Sequence, residues 1–479
     1  MSTASLQFLG FAMVAAVFYN LLRPVWWRQG ALFLANLFFL ATFASDTRAF
    51  LPFAAFLLAG YLGIQAAQRA ETRRFFVPSL ITIIAAFVWL KKYAFLPSGS
   101  FLHFAYVTIG MSYILFRVLH VMIDAHGGNL QAKISPLSYL NYTLNFMTLV
   151  SGPIQRFEDF AETQLAPERK ALTIFNIGEG IHRIAVGFFK VAVLSWLLSL
   201  LQKDALHALF DPRPLPSKAL LGAAVAALYP LYLYANFSGY TDTVIGIGRF
   251  FRCKLPENFD WPFSADNFIN FWSRWHITLS NWLKTYVFNP LLLASMRRVT
   301  SFALEPFLAV LALFVTFFLV GVWHGQTSEF LVFGFLQGLG VAANQLYQIL
   351  MEKRLGRERY RRLTTNSFYT AFSRGFTFTW FTFTLLWFWS NWTQMREITS
   401  ALGVPAAIFA LCTVFLAASV FLRLYGMVRD WAAGIRWNGS PVLVSRYALT
   451  VVDTGLTVIT LAVVILLNAP APDIVYRAF

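Results

Sequence analysis

"NFINFWSRWHITLSNWLKTYVFNPLL" occupies residues 267–292. Three tryptophans, a histidine, an arginine and a lysine crowd into it, with Phe- and Leu-rich sequence on both sides. Trp272, His276, Ser280 and Lys284 recur at every fourth residue, a spacing that predicts one shared face of a helix. Arg274, Thr278 and Asn281 fall on a neighbouring stripe, and Trp275 and Trp282, seven apart, form an aromatic flank. An amphipathic helix lying in a membrane interface would account for the tryptophans and the cations. It would not account for His276, because such a helix gains nothing specific from an imidazole.

The surrounding composition sets the solvent. Of 479 residues, 58% are hydrophobic and 13% charged, against roughly 45–50% apolar and ~25% charged in soluble domains. The chain therefore reads as a membrane protein. Apolar segments near the ~20 residues needed to cross the hydrocarbon fall at about 6–22, 30–45, 49–66, 76–95, 102–122, 176–201, 219–246, 303–322, 328–351, 371–392, 404–425 and 447–469. This predicts an all-α polytopic fold of about a dozen crossings, taken as a single integral domain over 1–479. Segments 138–155 and 266–293 are too polar or too broken to be simple spans and read as re-entrant or interfacial pieces. The first span has neither a basic region before it nor a small-residue cleavage site after it, so it reads as a retained helix.

Net charge is +16, from 38 basic and 22 acidic residues. The cations gather in short loops, which fits the positive-inside rule and anionic headgroups better than nucleic acid. The "EKRLGRERYRRL" stretch, 352–363, carries six of them. Arg23, Arg28, Arg69, Arg73, Arg74, Arg249, Arg252, Lys254, Arg297, Arg298, Arg429, Arg436 and Arg446 agree with it if both termini face outward. Lys91 and Lys92 fall on the opposite side and are expected to snorkel or line a cavity. No repeat of 20–50 residues and no inverted pair of broken helices is present, which weighs against a transporter. The two cysteines, Cys253 and Cys412, lie in different elements and predict no disulfide framework. Cys253 sits between Arg252 and Lys254, which would favour its thiolate unless it is a loop cysteine of no consequence.

Polar residues inside a membrane mark function by default. Besides 267–292 they collect in three places. "LVGVWHGQTSEF", 319–330, ends a long apolar span on Trp323 and His324. "NFSGYTDTVIGIGRFFRCKLPENFDWPF", 236–263, sets Tyr240 and Asp242 within a span and then turns to loop at Pro256 and Pro262. "LVSGPIQRFEDF", 149–160, must break a helix at Gly152-Pro153. A serine elbow, a zinc-binding H-E-x-x-H and a phosphate loop are absent. The remaining histidines show no metal spacing with His276 and His324, so no metal ligand is assigned.

Taken together, "SGYTDTVIGIGRFF", "LPENFDWPF", "FWSRWHITLSNWLKTYVFNPLL" and the later "GVWHG" resemble the membrane-bound O-acyltransferases. The likeness is to the bacterial branch that acetylates alginate and transfers D-alanine to teichoic acids, and "SGPIQRFEDF" fits it too. It runs from about residue 105 to 345, and "LPENF" looks more like the polysaccharide-acetylating members. The resemblance implies a funnel-shaped helical bundle with re-entrant segments around a central channel, in the bacterial cytoplasmic membrane. It carries the family's paired motif histidines onto His276 and His324, the latter matching the near-universal catalytic histidine. It implies a cytoplasmic thioester donor, acetyl-CoA or a phosphopantetheinyl carrier protein, as co-substrate and no permanently bound cofactor. It also implies an extracytoplasmic acyltransferase or polysaccharide-modifying partner and no nucleic acid. One departure stands out: relatives often carry "GLLHG" after the second motif, where this chain reads "GFLQG" with Gln337.

Acyl transfer to a hydroxyl needs a base, and an imidazole of ordinary pKa ~6.5 suits the task. His324 is assigned as base, and His276 orients the acceptor or donates to the developing oxyanion, helped by Arg274 or Ser280. Trp272, Arg274, Ser280, Asn281, Lys284, Trp323, Tyr240 and Asp242 are the expected substrate-binding residues. D-alanyl transfer from a carrier protein is the alternative within this class, and a transporter or flippase for a lipid-linked sugar is the alternative outside it. The charge pattern makes one prediction. A single cysteine introduced at position 357 stays unlabelled by an impermeant thiol reagent in intact cells and labels once the membrane is opened; labelling in intact cells would invert the topology.

Overall fold

The computed structural model describes residues 5–130, 134–168, 171–299, 301, 304–437, 440–441 and 446–466. They are helical apart from turns and a two-residue antiparallel pairing of Arg436–Trp437 with Ser440–Pro441. Among them, eight helices are long and apolar enough to cross a membrane: Thr47–Gln68, Glu71–Leu90, Ile174–Leu209, Leu215–Phe250, Glu305–His324, Ser328–Leu355, Trp392–Ala432 and Ala448–Leu466. The other four expected spans contain helices, although 102–110 of the span expected at 102–122 is not helical. Leu6–Asn20, Val25–Ala41 and Met111–Gly127 have 15, 17 and 17 residues, about 23–26 Å at ~1.5 Å per residue, short of a full hydrocarbon core. Ser367–Trp389 is longer but rich in threonine. The stretch between the spans expected at 371–392 and 404–425 is helical too. It belongs to Trp392–Gly434, which kinks at Gly403 (φ 69°) just before Pro405.

The chain divides into two compact units. Among the described residues, the first comprises those within 5–191 and 237–257. One non-helical segment of it lies between Pro136–Thr143 and Phe157–Gln164, around the break expected at Gly152-Pro153. Arg117, on Met111–Gly127 and 1% exposed, satisfies it. The guanidinium donates to the carbonyls of Tyr142 (3.1 Å), Thr143 (2.8 Å) and Thr148 (2.7 Å) and to Thr148 Oγ1 (2.6 Å). One turn on, His120 Nε2 accepts the Phe157 N–H at 3.2 Å, and Tyr142 donates to the Gln155 carbonyl at 2.7 Å. Lys91 is buried where the Phe76–Leu90 helix ends, and the Lys92 ammonium lies 5.0 Å from the Tyr106 ring.

The second unit comprises the described residues within 192–236 and 258–466. Its tightest helix pair is Glu305–His324 against Ser328–Leu355, and glycines set the spacing. A Cβ on Gly321 would lie 2.2 Å from Gly334 Cα, one on Gly334 2.4 Å from the Phe318 carbonyl, and one on Gly338 2.6 Å from the Phe314 carbonyl. Small residues at such contacts let backbones approach where the hydrophobic effect offers no drive between helices. Substituting Gly334 with alanine must therefore push the pair apart, at ~1–3 kcal/mol for overpacking. The expected result is a clear fall in thermal stability in detergent for Gly334→Ala, whereas Gly10→Ala, with nothing within 4 Å of the new methyl, leaves it unchanged. Equal melting of the two variants would refute the close packing.

Candidate active site

The 267–292 stretch is not one helix. Phe268–Trp272 ends after five residues, a turn follows, and His276 takes the left-handed conformation (φ 46°, ψ 52°) before Ile277–Leu283 begins. A π-helical turn, Lys284–Phe288, then leads into Asn289–Arg298. The every-fourth-residue face expected for Trp272, His276, Ser280 and Lys284 is therefore corrected. Trp272 and His276 are buried, Ser280 is half-buried, and Asn281 and Lys284 are exposed.

The break is held from the "LPENF" loop. Asp260 N donates to the Arg274 carbonyl and Ile277 N to the Asn258 carbonyl, each at 3.0 Å, with Phe259 bridged to Trp275 between them. Asn258 Oδ1 accepts from His276 Nδ1 (3.2 Å), Thr278 N (3.1 Å) and Thr278 Oγ1 (2.9 Å). Asn258 is a residue that sequence reasoning missed as a site group. It lay inside a quoted motif, but a lone amide in a loop has no periodicity to mark it. The left-handed backbone of His276, uncommon for a side chain with a Cβ, is the price of turning its ring inward.

Glu305–His324 delivers the second imidazole at its last residue. His324 is 3% exposed and boxed by Trp323 (centroids 4.6 Å), Phe388 (5.3 Å) and Phe333 (5.9 Å). The Trp323 ring also lies 6.3 Å from that of His276, so one indole borders both imidazoles. Beneath them is an aromatic bed: Trp275 packs on Phe271 (5.7 Å), Phe259 (5.1 Å) and Phe381 (5.1 Å), and Trp272 packs on Phe317 (5.1 Å). Two of the three tryptophans of the opening stretch, Trp272 and Trp275, thus build this aromatic bed, while Trp282 packs on Tyr286 (5.1 Å).

The other expected residues are placed as follows. Arg274 donates to Ser264 Oγ at 3.1 Å, and Ser280 Oγ to the Trp275 carbonyl at 3.4 Å. Tyr240 and Asp242 belong to the first unit. There the Tyr240 hydroxyl donates to the Met147 carbonyl at 3.4 Å. Asp242 pairs with Arg183 and, at 2.6 Å, with Lys190 Nζ, while Arg183 also pairs with Glu257. Asp242 is thereby committed to an ion-pair network between helices. Gln337 is buried and donates to Thr384 Oγ1 at 2.8 Å. In the second unit, a cavity of about 570 Å³ adjoins the start of Phe268–Trp272; Phe268, Gly340, Tyr347, Tyr360, Tyr369 and Trp380 are among its walls.

The expectation that basic neighbours favour the Cys253 thiolate is also corrected. Cys253 is 1% exposed, and burial pushes its thiol up to about 11 despite the nearby Gln155 and Thr163. A buried, protonated thiol is inert. In Cys412→Ser protein, Cys253 is expected to resist a maleimide at pH 8 in the native state and to label on denaturation, read by mass spectrometry; rapid native labelling would contradict its burial.

The model of the MBOAT, membrane-bound O-acyltransferase, family matches residues 80–388. Among curated relatives, a teichoic acid D-alanyltransferase of Bacillus subtilis is 27% identical over 58% of this chain and 69% of its own length. A probable alginate O-acetylase of Pseudomonas fluorescens is 31% identical over 49% of this chain and 44% of its own. A peptidoglycan O-acetyltransferase of Helicobacter pylori is 33% identical over 44% of this chain and 38% of its own. The chain thus spans less than half the length of these two O-acetylating relatives.

Proposed function

The chain belongs to the membrane-bound O-acyltransferase family, and from that premise we propose that it moves an acyl group, acetyl as the first choice, from a cytoplasmic thioester to a hydroxyl. The acceptor is an extracytoplasmic cell-envelope polysaccharide or a relay partner that acts on one. The observation that carries this reading is the pair of buried imidazoles, His276 and His324, bordering one indole.

In the reaction, the acceptor oxygen bonds to the thioester carbonyl carbon and the C–S bond breaks. His324 takes the hydroxyl proton as the bond forms and returns it to the leaving thiolate, so atoms and charge balance without an acyl-enzyme. The aromatic walls keep water from the thioester, which protects it from hydrolysis. Two features support entry of the donor at the 570 Å³ cavity. It adjoins the short helix that carries Trp272, and Tyr360 and Thr364 on its wall belong to Arg357–Thr365, whose arginines suit the phosphates of coenzyme A or a phosphopantetheine.

D-alanyl transfer from a carrier protein is the second reading. It is favoured by the D-alanyltransferase relative, which matches a larger share of the chain than the acetylating relatives do. The test uses membrane vesicles with labelled acetyl-CoA in one arm and a D-alanyl carrier in the other, each with wild type and His324→Ala. Acetyl transfer should be lost by at least ~10²-fold in the variant at normal expression, the low end of what general-base catalysis contributes. Residual transfer above about one tenth would remove His324 from the role of base. Turnover of the D-alanyl donor alone would select the second reading. Consumption of neither donor while a lipid-linked sugar crosses the vesicle would select a transporter.

A further inference from the structure

We propose that Asn258 is a positioning residue that locks His276 in the Nδ1–H tautomer, so that this imidazole offers the lone pair of Nε2 and acts as a hydrogen-bond acceptor. The tautomer follows from the hydrogen bonds themselves. Its consequence for the reaction rests on the acyl-transfer reading above.

The orientation of the Asn258 amide is fixed by a group that can only donate. Thr278 N lies 3.1 Å from Oδ1, and a backbone N–H has no lone pair to offer the NH₂ end of a flipped amide. The oxygen therefore points at this junction, and it is the same oxygen that His276 Nδ1 meets at 3.2 Å. A nitrogen facing an oxygen acceptor must carry the proton. A neutral imidazole has one N–H, so Nε2 is left with the lone pair.

Three further observations support a device for orientation. Asn258 is 0% exposed, and its Nδ2 has no hydrogen-bond partner among the described residues. An unmet buried donor costs ~1–3 kcal/mol, so the side chain serves the site through its oxygen at the expense of its amine. The backbone around it is clamped on both sides by the Asp260–Arg274 and Ile277–Asn258 hydrogen bonds, so the oxygen stays in register with the ring. Finally, the acceptor is neutral. A carboxylate here would stabilise the imidazolium, whereas an amide oxygen orients the ring and leaves it uncharged.

This changes the role expected of His276. A neutral ring in this tautomer does not donate to a developing oxyanion. It accepts a hydrogen bond, from the hydroxyl being acylated or from a proton carried on His324, the titratable group that faces it. The two imidazoles then form an acceptor pair with separate duties: His324 takes the proton and His276 aligns the hydroxyl.

The experiment is nitrogen NMR on the full-length protein with ¹⁵N-labelled histidine, the His276 signals being those missing from His276→Gln. The expected result in wild type is a protonated Nδ1 and an unprotonated Nε2. Asn258→Leu should release the tautomer and lower kcat by roughly 10–100-fold, taking as a guide the loss seen when the hydrogen-bond partner of a metal-bound histidine is removed, with KM for the thioester within about two-fold. Asn258→Asp should keep the Nδ1–H tautomer and move the acid limb of the transfer profile to higher pH. An unprotonated Nδ1 in wild type would overturn the proposal outright, and so would Asn258→Leu protein with unchanged tautomer and kcat. If Asn258→Leu does not fold, the wild-type spectrum and Asn258→Asp still decide. If His276→Gln transfers normally, the acyl-transfer assignment of this ring falls, while its tautomer has still been measured.

Discussion

In lipid, each backbone N–H and C=O that leaves a helix must find a partner inside the protein. This constraint governs two places where the chain leaves regular structure. In the first unit the partner is the Arg117 guanidinium, which gathers three carbonyls and a hydroxyl across residues 142–148. In the second it is Asn258, whose backbone and side chain together take up Ile277 N, Thr278 N and His276 Nδ1. Both are buried polar residues whose hydrogen bonds permit a break in regular structure. Where they sit determines where the backbone can leave a helix, and it is at such a break that an imidazole is turned inward.

Much of this was legible in the sequence. Apolar length and basic loops revealed the helices, and the tryptophan–histidine islands revealed the two histidines. The stretch that misled was 267–292. Trp272, His276, Ser280 and Lys284 have faultless helical spacing, yet spacing cannot register that His276 adopts φ 46° because a separate loop clamps it there. Asn258 was invisible for the complementary reason. Its importance is a matter of three donors converging on one oxygen, and nothing local announces them. Cys253 shows the same limit in electrostatics: its sequence neighbours are cationic, but burial outweighs them.

His324 was read from the Trp323-His324 pair at the end of an apolar span, and the structure adds the packing that places it. Gly321, Gly334 and Gly338 draw two apolar helices into backbone contact. With that pair fixed, the last residue of the first helix lies against the Phe333 and Phe388 rings. The result is an imidazole at a helix end with aromatic neighbours on several sides. Such walls suit an acyl thioester, which hydrolysis would waste, and they leave proton handling to the few polar atoms present.

Gln337 sharpens that last point. It stands in "GFLQG", the departure from the expected "GLLHG"-like stretch, and it is fully buried. Its amide donates to Thr384 Oγ1, which in turn donates to the Phe381 carbonyl. This ties Ser328–Leu355 to Ser367–Trp389 through neutral groups alone. An amide neither takes nor releases a proton near neutral pH, so this position holds two helices together and contributes nothing to proton traffic. In the proposed reaction, the proton that passes between acceptor and leaving thiol is then left to His276 and His324. Of these two, His276 is the one oriented by Asn258, and for that reason it is given the alignment of the hydroxyl in the proposed reaction and His324 the proton transfer.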